Sequence, residues 1–238
     1  NEIGGRYITA MDSGTETSDM EIISRYTPYV TTLARNSGDP APYTALGVLR
    51  GQQAAIKLVL NKSDFEGLHV AIQGVGHVGY NLAKLLHERG AKLTVCDRNN
   101  EAVLRCVNEF GAQKVGQDDI YHVESDVFAP CALGAILNEA TIAKLKCRIV
   151  AGAANNQLSE PKDGQRLRER GILYAPDYVI NSGGLIHALA EYQKSSEKET
   201  LARIDHVYDV MLNLFERANQ EQKTTNEIAD VIAAERLK

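Results

Sequence analysis

Three glycines near the middle of the chain have the spacing of a phosphate-binding turn. Gly74, Gly76 and Gly79 follow a short apolar stretch, 70–73, and precede a segment whose leucines share one helical face. In such a strand–turn–helix unit the first glycine allows the turn, the second lets a pyrophosphate approach the backbone, and the third lets helix pack on strand. The helix N-terminus offers free N–H groups and the positive end of its dipole to the phosphates.

A second strand and an acidic residue complete this pattern. The predicted second strand, 92–96, is followed by Asp97, 18 residues after Gly79, where a carboxylate that binds ribose hydroxyls is expected. Together these features predict a dinucleotide site, the alternative being a glycine turn needed only for packing. The residues between the glycines are assigned to the same site: Val75, His77 and Val78.

The charge of Asp97 bears on which dinucleotide is bound. A carboxylate at this position favours NAD, because the 2′-phosphate of NADP would meet a like charge. The neighbouring Arg98 is the opposing feature, since an arginine can pair with that phosphate. We expect NAD to be the cofactor.

Composition restricts the class of protein. The chain has 238 residues, of which 44% are hydrophobic and 24% charged, as in globular proteins. A net charge of −5 and the lack of a Lys/Arg run argue against nucleic-acid binding. No apolar stretch has membrane-spanning length, no signal-peptide pattern opens the chain, and the four cysteines lack metal-type spacing. These features indicate a cytoplasmic protein without a metal site or a membrane partner.

From residue 69 onward, short apolar runs alternate with amphipathic segments. This alternation predicts an α/β fold: a Rossmann-type, doubly wound, mostly parallel sheet with helices on both faces, followed by C-terminal helices. The predicted strands are 69–73, 92–96, 125–129, 148–151, 172–174 and 178–180. The predicted helices are 77–89, 99–110, 139–145, 160–170, 183–194, 197–221 and 225–238.

The front of the chain is predicted to be helical. Ser18 and Glu21 have the spacing of a capping box, which predicts a helix start there that continues to about Asn36. The turn 38–42, rich in glycine and proline, should end it. A long helix is then expected over about 43–60.

Four further stretches make the pattern specific. They are 5–12 (GRYITAMD), 126–134 (DVFAPCALG), 151–158 (AGAANNQL) and 175–184 (APDYVINSGG). With the glycine turn, they closely resemble the leucine/phenylalanine/valine branch of the amino-acid dehydrogenases, and the resemblance covers essentially the whole chain. Enzymes of this family have two domains with a cleft between them, and the second domain holds NAD in a Rossmann-type fold.

The resemblance implies a division of the chain. Residues 1–35 would be the tail of the substrate-binding and catalytic domain, 36–196 the NAD-binding domain, and 197–238 C-terminal helices that close back on the first domain. The family's two essential lysines, with their glycine-rich stretch, would precede Asn1. Because the chain opens with Asn1 and not Met, we expect it to be a fragment that contains the cofactor domain.

The implied activity is reversible, NAD-dependent oxidative deamination of a branched-chain or aromatic L-amino acid to the 2-oxo acid and ammonia. The expected partners are the amino-acid substrate and further copies of the protein in a homo-oligomer. Two alternatives are a dinucleotide-binding or assembly module without turnover, and a glutamate dehydrogenase. The latter needs a cation or hydroxyl for the substrate γ-carboxylate.

The resemblance also assigns roles to individual residues. Asp12 matches the family's catalytic aspartate, which would hold a lysine in place and tune its pKa. Asn155 would bind the nicotinamide ribose, and Asn181 the nicotinamide amide or the substrate amine. Thr44 would touch the nicotinamide amide, its alternative being a plain helix cap.

The remaining assignments concern the walls of the cleft. Cys131, Ala132 and Leu133 would line the cofactor through backbone and van der Waals contacts. A nucleophilic role for Cys131 is rejected, because the reaction class needs none and no motif base is paired with it. Leu185 and Ala188, at i and i+3 of one predicted helix, would close the substrate side-chain pocket; ordinary core packing is the alternative.

Overall fold

A computed structural model describes residues 2–12, 14–36 and 38–237 of the chain. Its strands are β1 (His69–Gln73), β2 (Lys92–Cys96), β3 (Gln113–Lys114), β4 (Val127–Pro130), β5 (Ile149–Val150) and β6 (Leu173–Tyr174). They form one sheet in the order β3-β2-β1-β4-β5-β6, and every pair is parallel. The predicted doubly wound sheet is therefore confirmed. The strand order reverses between β1 and β4, so a crevice opens at their carboxyl ends.

Helices occupy most of the remaining chain. They are α1 (Thr17–Ile23), α2 (Ala41–Leu60), α3 (His77–His87), α4 (Asn100–Phe110), α5 (Glu139–Ile142), α6 (Asp163–Glu169), α7 (Asp177–Ile180), α8 (Gly183–Gln193), α9 (Glu197–Asp205), α10 (Val207–Glu221) and α11 (Thr225–Arg236). Within the described ranges, no helix is both long and apolar enough to cross a membrane.

The central strand β1 shows that both faces of the sheet are covered. Val70 and Ile72 point into one buried cluster with residues of α2, α3 and α10, whereas Ala71 lies in a second cluster with Phe128 and residues of α5 and α6. Successive strand residues face opposite sides, so a fully buried apolar run requires helices on both sides. This agrees with the apolar strands seen in the sequence.

The front of the chain differs from the prediction. The helix α1 begins at Thr17 and ends at Ile23, where the sequence predicted a helix from Ser18 to about Asn36. Its N-terminal cap uses Glu16, whose backbone N–H donates to the Asp19 carboxylate at 2.8 Å. The prediction was wrong because Pro28 disfavours helical backbone before it, and residues 29–31 instead extend beside Thr9.

Other boundaries were also wrong. The predicted strand 178–180 is the short helix α7, because Pro176 and the buried Asp177 begin a helical turn despite the β-forming residues that follow. The strand β3 was not predicted, because its two residues are exposed and polar. The predicted helix 197–221 is two helices, α9 and α10, with the break at His206.

Candidate functional site

The glycine turn lies at the carboxyl end of β1, beside the crevice. Gly74 has φ +92°, and a Cβ there would lie 2.7 Å from the backbone nitrogen of Ala132. A Cβ at Gly79 would lie 2.0 Å from the carbonyl oxygen of Gly74. A Cβ at Gly76, by contrast, would meet nothing within 4 Å. Two of the glycines are thus required by the fold, and the third faces open space.

The start of α3 is suited to an anion. Its N-cap is Gly76, and no side chain caps its first N–H groups. His77 is exposed and approaches Asp39, with 3.6 Å between Nδ1 and a carboxylate oxygen. The open cradle at Gly76 and the uncapped helix end fit a pyrophosphate group.

Asp97 is partly buried and bound to the glycine turn. One carboxylate oxygen accepts the backbone N–H of Val75 at 2.7 Å, and the other accepts that of Asn99 at 2.8 Å. This contact attaches the end of β2 to the turn, and no pattern in the sequence predicted it. Arg98 is exposed. The assignment of the Asp97 carboxylate to ribose hydroxyls stays a prediction.

The two asparagines assigned to the nicotinamide side lie in contact. The Asn181 side-chain nitrogen donates to the side-chain oxygen of Asn155 at 2.6 Å and to the carbonyl of Ala153 at 3.1 Å. One residue follows β5 and the other follows α7, so tertiary structure brings them together at the carboxyl edge of the sheet.

The neighbouring Asn156 has a different environment. Its φ is +51°, and its backbone N–H donates to the buried Asp177 carboxylate at 2.6 Å. The other oxygen of Asp177 accepts the hydroxyl of Tyr174 at 2.7 Å. Burial and the adjacent carboxylate raise the pKa of Tyr174. Asn156 therefore serves the shape of this turn.

The segment after β4 forms the wall opposite the glycine turn. The Cys131 backbone N–H donates to the carbonyl of Gln73 at 2.7 Å, the Ala132 backbone lies against Gly74, and Leu133 is exposed. The Cys131 residue is partly exposed, but its thiol is desolvated, which raises its pKa to about 12. A thiol that stays protonated at neutral pH is a poor nucleophile.

Thr44 lies in the first turn of α2, where its hydroxyl donates to the carbonyl of Pro40 at 3.2 Å. A Cβ at Gly184 would lie 2.3 Å from that hydroxyl, and one at Gly183 would lie 2.1 Å from the carbonyl of Tyr43. The start of α2 is therefore in close contact with the start of α8, which lies two residues after Asn181.

The front segment is attached to the middle of α8. The Met11 backbone N–H donates to the Thr32 hydroxyl at 2.7 Å, and the Thr31 hydroxyl donates to the carbonyl of Ala188 at 3.0 Å. The Thr32 backbone N–H donates to the Glu191 carboxylate at 3.0 Å. Asp12 is exposed, and its N–H donates to the Thr15 hydroxyl.

The two predicted substrate-pocket residues have different environments. Leu185 is 74% exposed, whereas Ala188 is only 8% exposed and its carbonyl accepts the Thr31 hydroxyl. Nearby, His187 is buried and its ring stacks on Tyr43 with centroids 3.9 Å apart. Desolvation lowers the pKa of His187, which favours the neutral imidazole. The roles assigned to Leu185 and Ala188 stay predictions.

No group of three or more potential ligands (His, Cys, Asp or Glu) is arranged to hold a metal ion in the part of the chain that the structure describes. The parallel sheet, the glycine turn at β1, and the polar groups at the strand ends beyond β4 define a Rossmann-type α/β domain.

Comparison with known proteins then gives the family. The family model for "Glutamate/Leucine/Phenylalanine/Valine dehydrogenase" matches residues 39–105 and 97–238. The chain belongs to this dehydrogenase family.

Individual relatives agree with this assignment. The chain is 50% identical to a leucine dehydrogenase of Thermoactinomyces intermedius and 48% identical to that of Geobacillus stearothermophilus. It spans 65% of the length of each, and 99% of its own length is matched. It is also similar to the crystal structure of L-tryptophan dehydrogenase from Nostoc punctiforme, with a TM-score of 0.87, 41% identity, and coverage of 99% of this chain and 68% of the other. A hetero-hexameric glutamate dehydrogenase from Thermus thermophilus shares the fold, with a TM-score of 0.78 at 20% identity over 97% of this chain and 62% of the other.

Proposed function

We propose that the complete protein is an NAD-dependent dehydrogenase that oxidatively deaminates a branched-chain or aromatic L-amino acid, and that residues 36–196 hold the cofactor. One observation carries the proposal. The glycine turn, Asp97 and the Asn155–Asn181 pair all lie at the carboxyl edge of the sheet, on the two sides of the point where strand order reverses.

The proposed orientation of NAD follows from the functional groups found on each side of the crevice. The pyrophosphate would lie on the N–H groups at the start of α3, beside Gly76, and Asp97 would bind the adenosine ribose. That leaves the strand ends of β4, β5 and β6 for the nicotinamide half, with Asn155 and Asn181 as neutral donors and acceptors. Bound NAD would supply the acceptor for the hydride that leaves the α-carbon of the amino acid.

Support for an apolar substrate comes from α8. Its exposed Leu185 offers apolar surface and no charge, whereas a substrate γ-carboxylate would need a cation or a hydroxyl in its pocket. Asp12 is proposed to act in proton transfer by holding a catalytic lysine of the complete protein. The names of the relatives, which include leucine, tryptophan and phenylalanine dehydrogenases, favour the same substrate class. We also propose that the complete protein is a homo-oligomer.

The test is a substrate panel with the complete protein. NADH formation is followed by absorbance with leucine, valine, isoleucine, phenylalanine, tryptophan and glutamate, each with NAD and with NADP. We expect turnover with one or more apolar amino acids and NAD. Turnover with glutamate alone would replace this proposal by glutamate dehydrogenase, and NAD binding without any turnover would favour the binding-module alternative.

A further inference from the structure

The loop after β5 is held by side-chain amides. This loop, residues 151–157, contains Asn155 and has no regular secondary structure. Four consecutive carbonyls in it, those of residues 151 to 154, each accept a hydrogen bond from the amide nitrogen of a glutamine or asparagine side chain. We call these four bonds the amide clamp.

Two glutamines supply three of the four bonds. Gln52, on α2, donates to the carbonyl of Ala151 at 2.8 Å. Gln157 donates to the carbonyls of Gly152 and Ala154, both at 2.9 Å, and so spans the turn immediately before Asn155. The fourth bond comes from Asn181, which also holds the Asn155 side chain.

The loop has little room to adopt another conformation. A Cβ at Gly152 would lie 2.2 Å from the carbonyl oxygen of Pro130, so the loop backbone lies directly against the end of β4. The Ala154 backbone N–H donates to that same carbonyl at 2.9 Å. Hydrogen bonds that fix the carbonyls of residues 151–154 therefore also fix the position of the Asn155 backbone.

Both glutamines bury a side-chain amide in the interior, which is energetically unfavourable unless the amide is fully hydrogen-bonded. Each is 0% exposed, and the side-chain oxygen of each has no hydrogen-bond partner among the residues described. Burying an amide whose oxygen has no hydrogen-bond partner costs free energy, which the bonds that the amide donates to the loop must offset. Core packing alone does not account for an amide at either position.

We infer that Gln52 and Gln157 are positioning residues for the nicotinamide half of the site. They act through the loop 151–157, which they hold so that Asn155 meets Asn181, and their side-chain amides donate to carbonyls of that loop. This inference rests on the proposed function, because it assigns the Asn155–Asn181 pair to the nicotinamide end of NAD. It predicts that replacing either glutamine weakens binding of the nicotinamide end of NAD and leaves binding of the adenosine end unchanged.

The experiment compares NAD with ADP, which lacks both the nicotinamide and the ribose that carries it. Affinities for the two ligands are measured by calorimetry with the complete wild-type protein and with its Gln52→Met and Gln157→Met variants. Loss of one or two hydrogen bonds that position the loop should weaken NAD by ~3–10-fold, while ADP affinity stays within about 2-fold because the adenosine site is untouched. Gln52→Leu provides a second variant if Gln52→Met does not fold.

A matched control removes a buried hydrogen bond elsewhere. Thr94 is buried in β2, and its hydroxyl bonds to the ring of His69 at 2.8 Å. Thr94→Val should lower stability and leave the ratio of the NAD and ADP affinities unchanged. Glutamine variants that weaken both ligands equally, or neither, overturn the inference and leave a purely structural role. Complete wild-type protein that binds neither ligand overturns the proposed function, and this inference with it.

Discussion

The two halves of the candidate site are held in shape by different interactions. On the proposed adenosine side, the turn Gly74–Gly79 owes its shape mainly to the backbone conformation that its glycines allow, with one side-chain contact from Asp97. On the nicotinamide side, the loop 151–157 owes its shape to the amide clamp, whose donors come from α2, from the loop itself and from the residue after α7. The shape of the glycine turn therefore depends mainly on residues 74–79 and on one contact with Asp97, whereas the loop 151–157 also depends on side chains from α2 and from the residue after α7.

The largest expected effect is a loss of catalytic activity without a loss of NAD binding. Both halves together should bind NAD, but a polypeptide of residues 1–238 should not deaminate amino acids. Residues 1–56 contain no lysine, and Asp12 is the one acid/base group that we propose in the front segment. Loss of a general base costs ~10²–10⁴ in rate, and loss of substrate positioning costs up to ~7–11 kcal/mol of the barrier.

Calorimetry with NAD and an NADH absorbance assay with saturating leucine, valine, isoleucine and phenylalanine check this prediction on the same preparation. Turnover by residues 1–238 would show that the lysine roles were wrongly transferred from the family. A failure to bind NAD would show that the cofactor site needs residues outside the chain.

The next effect distinguishes two glycines of one turn. Gly76→Val should abolish NAD binding and leave the fold intact, because the added side chain enters open space where the pyrophosphate would lie. Gly79→Val should instead destabilise the protein by about 1–3 kcal/mol or more, because its Cβ would overlap the Gly74 carbonyl.

Denaturant unfolding and NAD titration of both variants provide the measurement. Retained NAD affinity in folded Gly76→Val would remove the turn from the cofactor site. An unchanged unfolding midpoint in Gly79→Val would contradict the close packing of α3 on the turn.

A smaller effect is expected at Asp97. Asp97→Ala should weaken NAD by about 1–3 kcal/mol, since charged hydrogen bonds to the ribose are lost together with the contact that holds Val75. Wild-type protein should bind NAD more tightly than NADP. Titration with both cofactors checks this, and Arg98→Ala is the control that should leave NAD affinity within about 2-fold. Equal or tighter NADP binding would make Arg98 a phosphate ligand.

The smallest effect is expected at Cys131. Because desolvation raises the pKa of its thiol to about 12, the neutral thiol is the dominant form at every pH well below that value. Alkylation by iodoacetamide should therefore be slow at pH 7–9 in the folded protein and fast after denaturation. Cys131→Ala should leave NAD affinity nearly unchanged. Rapid modification of the native protein at pH 7 would contradict the desolvated environment.

Much of the fold was readable from the sequence. The strands β1 and β2 have the predicted bounds, because buried parallel strands are continuous apolar runs. The helix α3 starts where the glycine pattern predicted. Prediction failed where local preference and tertiary context disagree, as in α7, where Tyr178, Val179 and Ile180 favour a strand by composition and yet lie in a helical turn.

By itself, the sequence determined the class of fold, the position of the glycine turn and the family resemblance. Glycines with a required conformation and apolar runs of fixed period express local backbone physics, which needs no knowledge of distant residues. Only the tertiary structure decided that Asn155 meets Asn181, that Asp97 holds the glycine turn, and that Gln52 reaches the carbonyl of Ala151 across 99 residues. Hydrogen bonds between side chains and distant backbone leave no periodic signal in a sequence, because they depend on which surfaces the packed sheet and helices bring into contact.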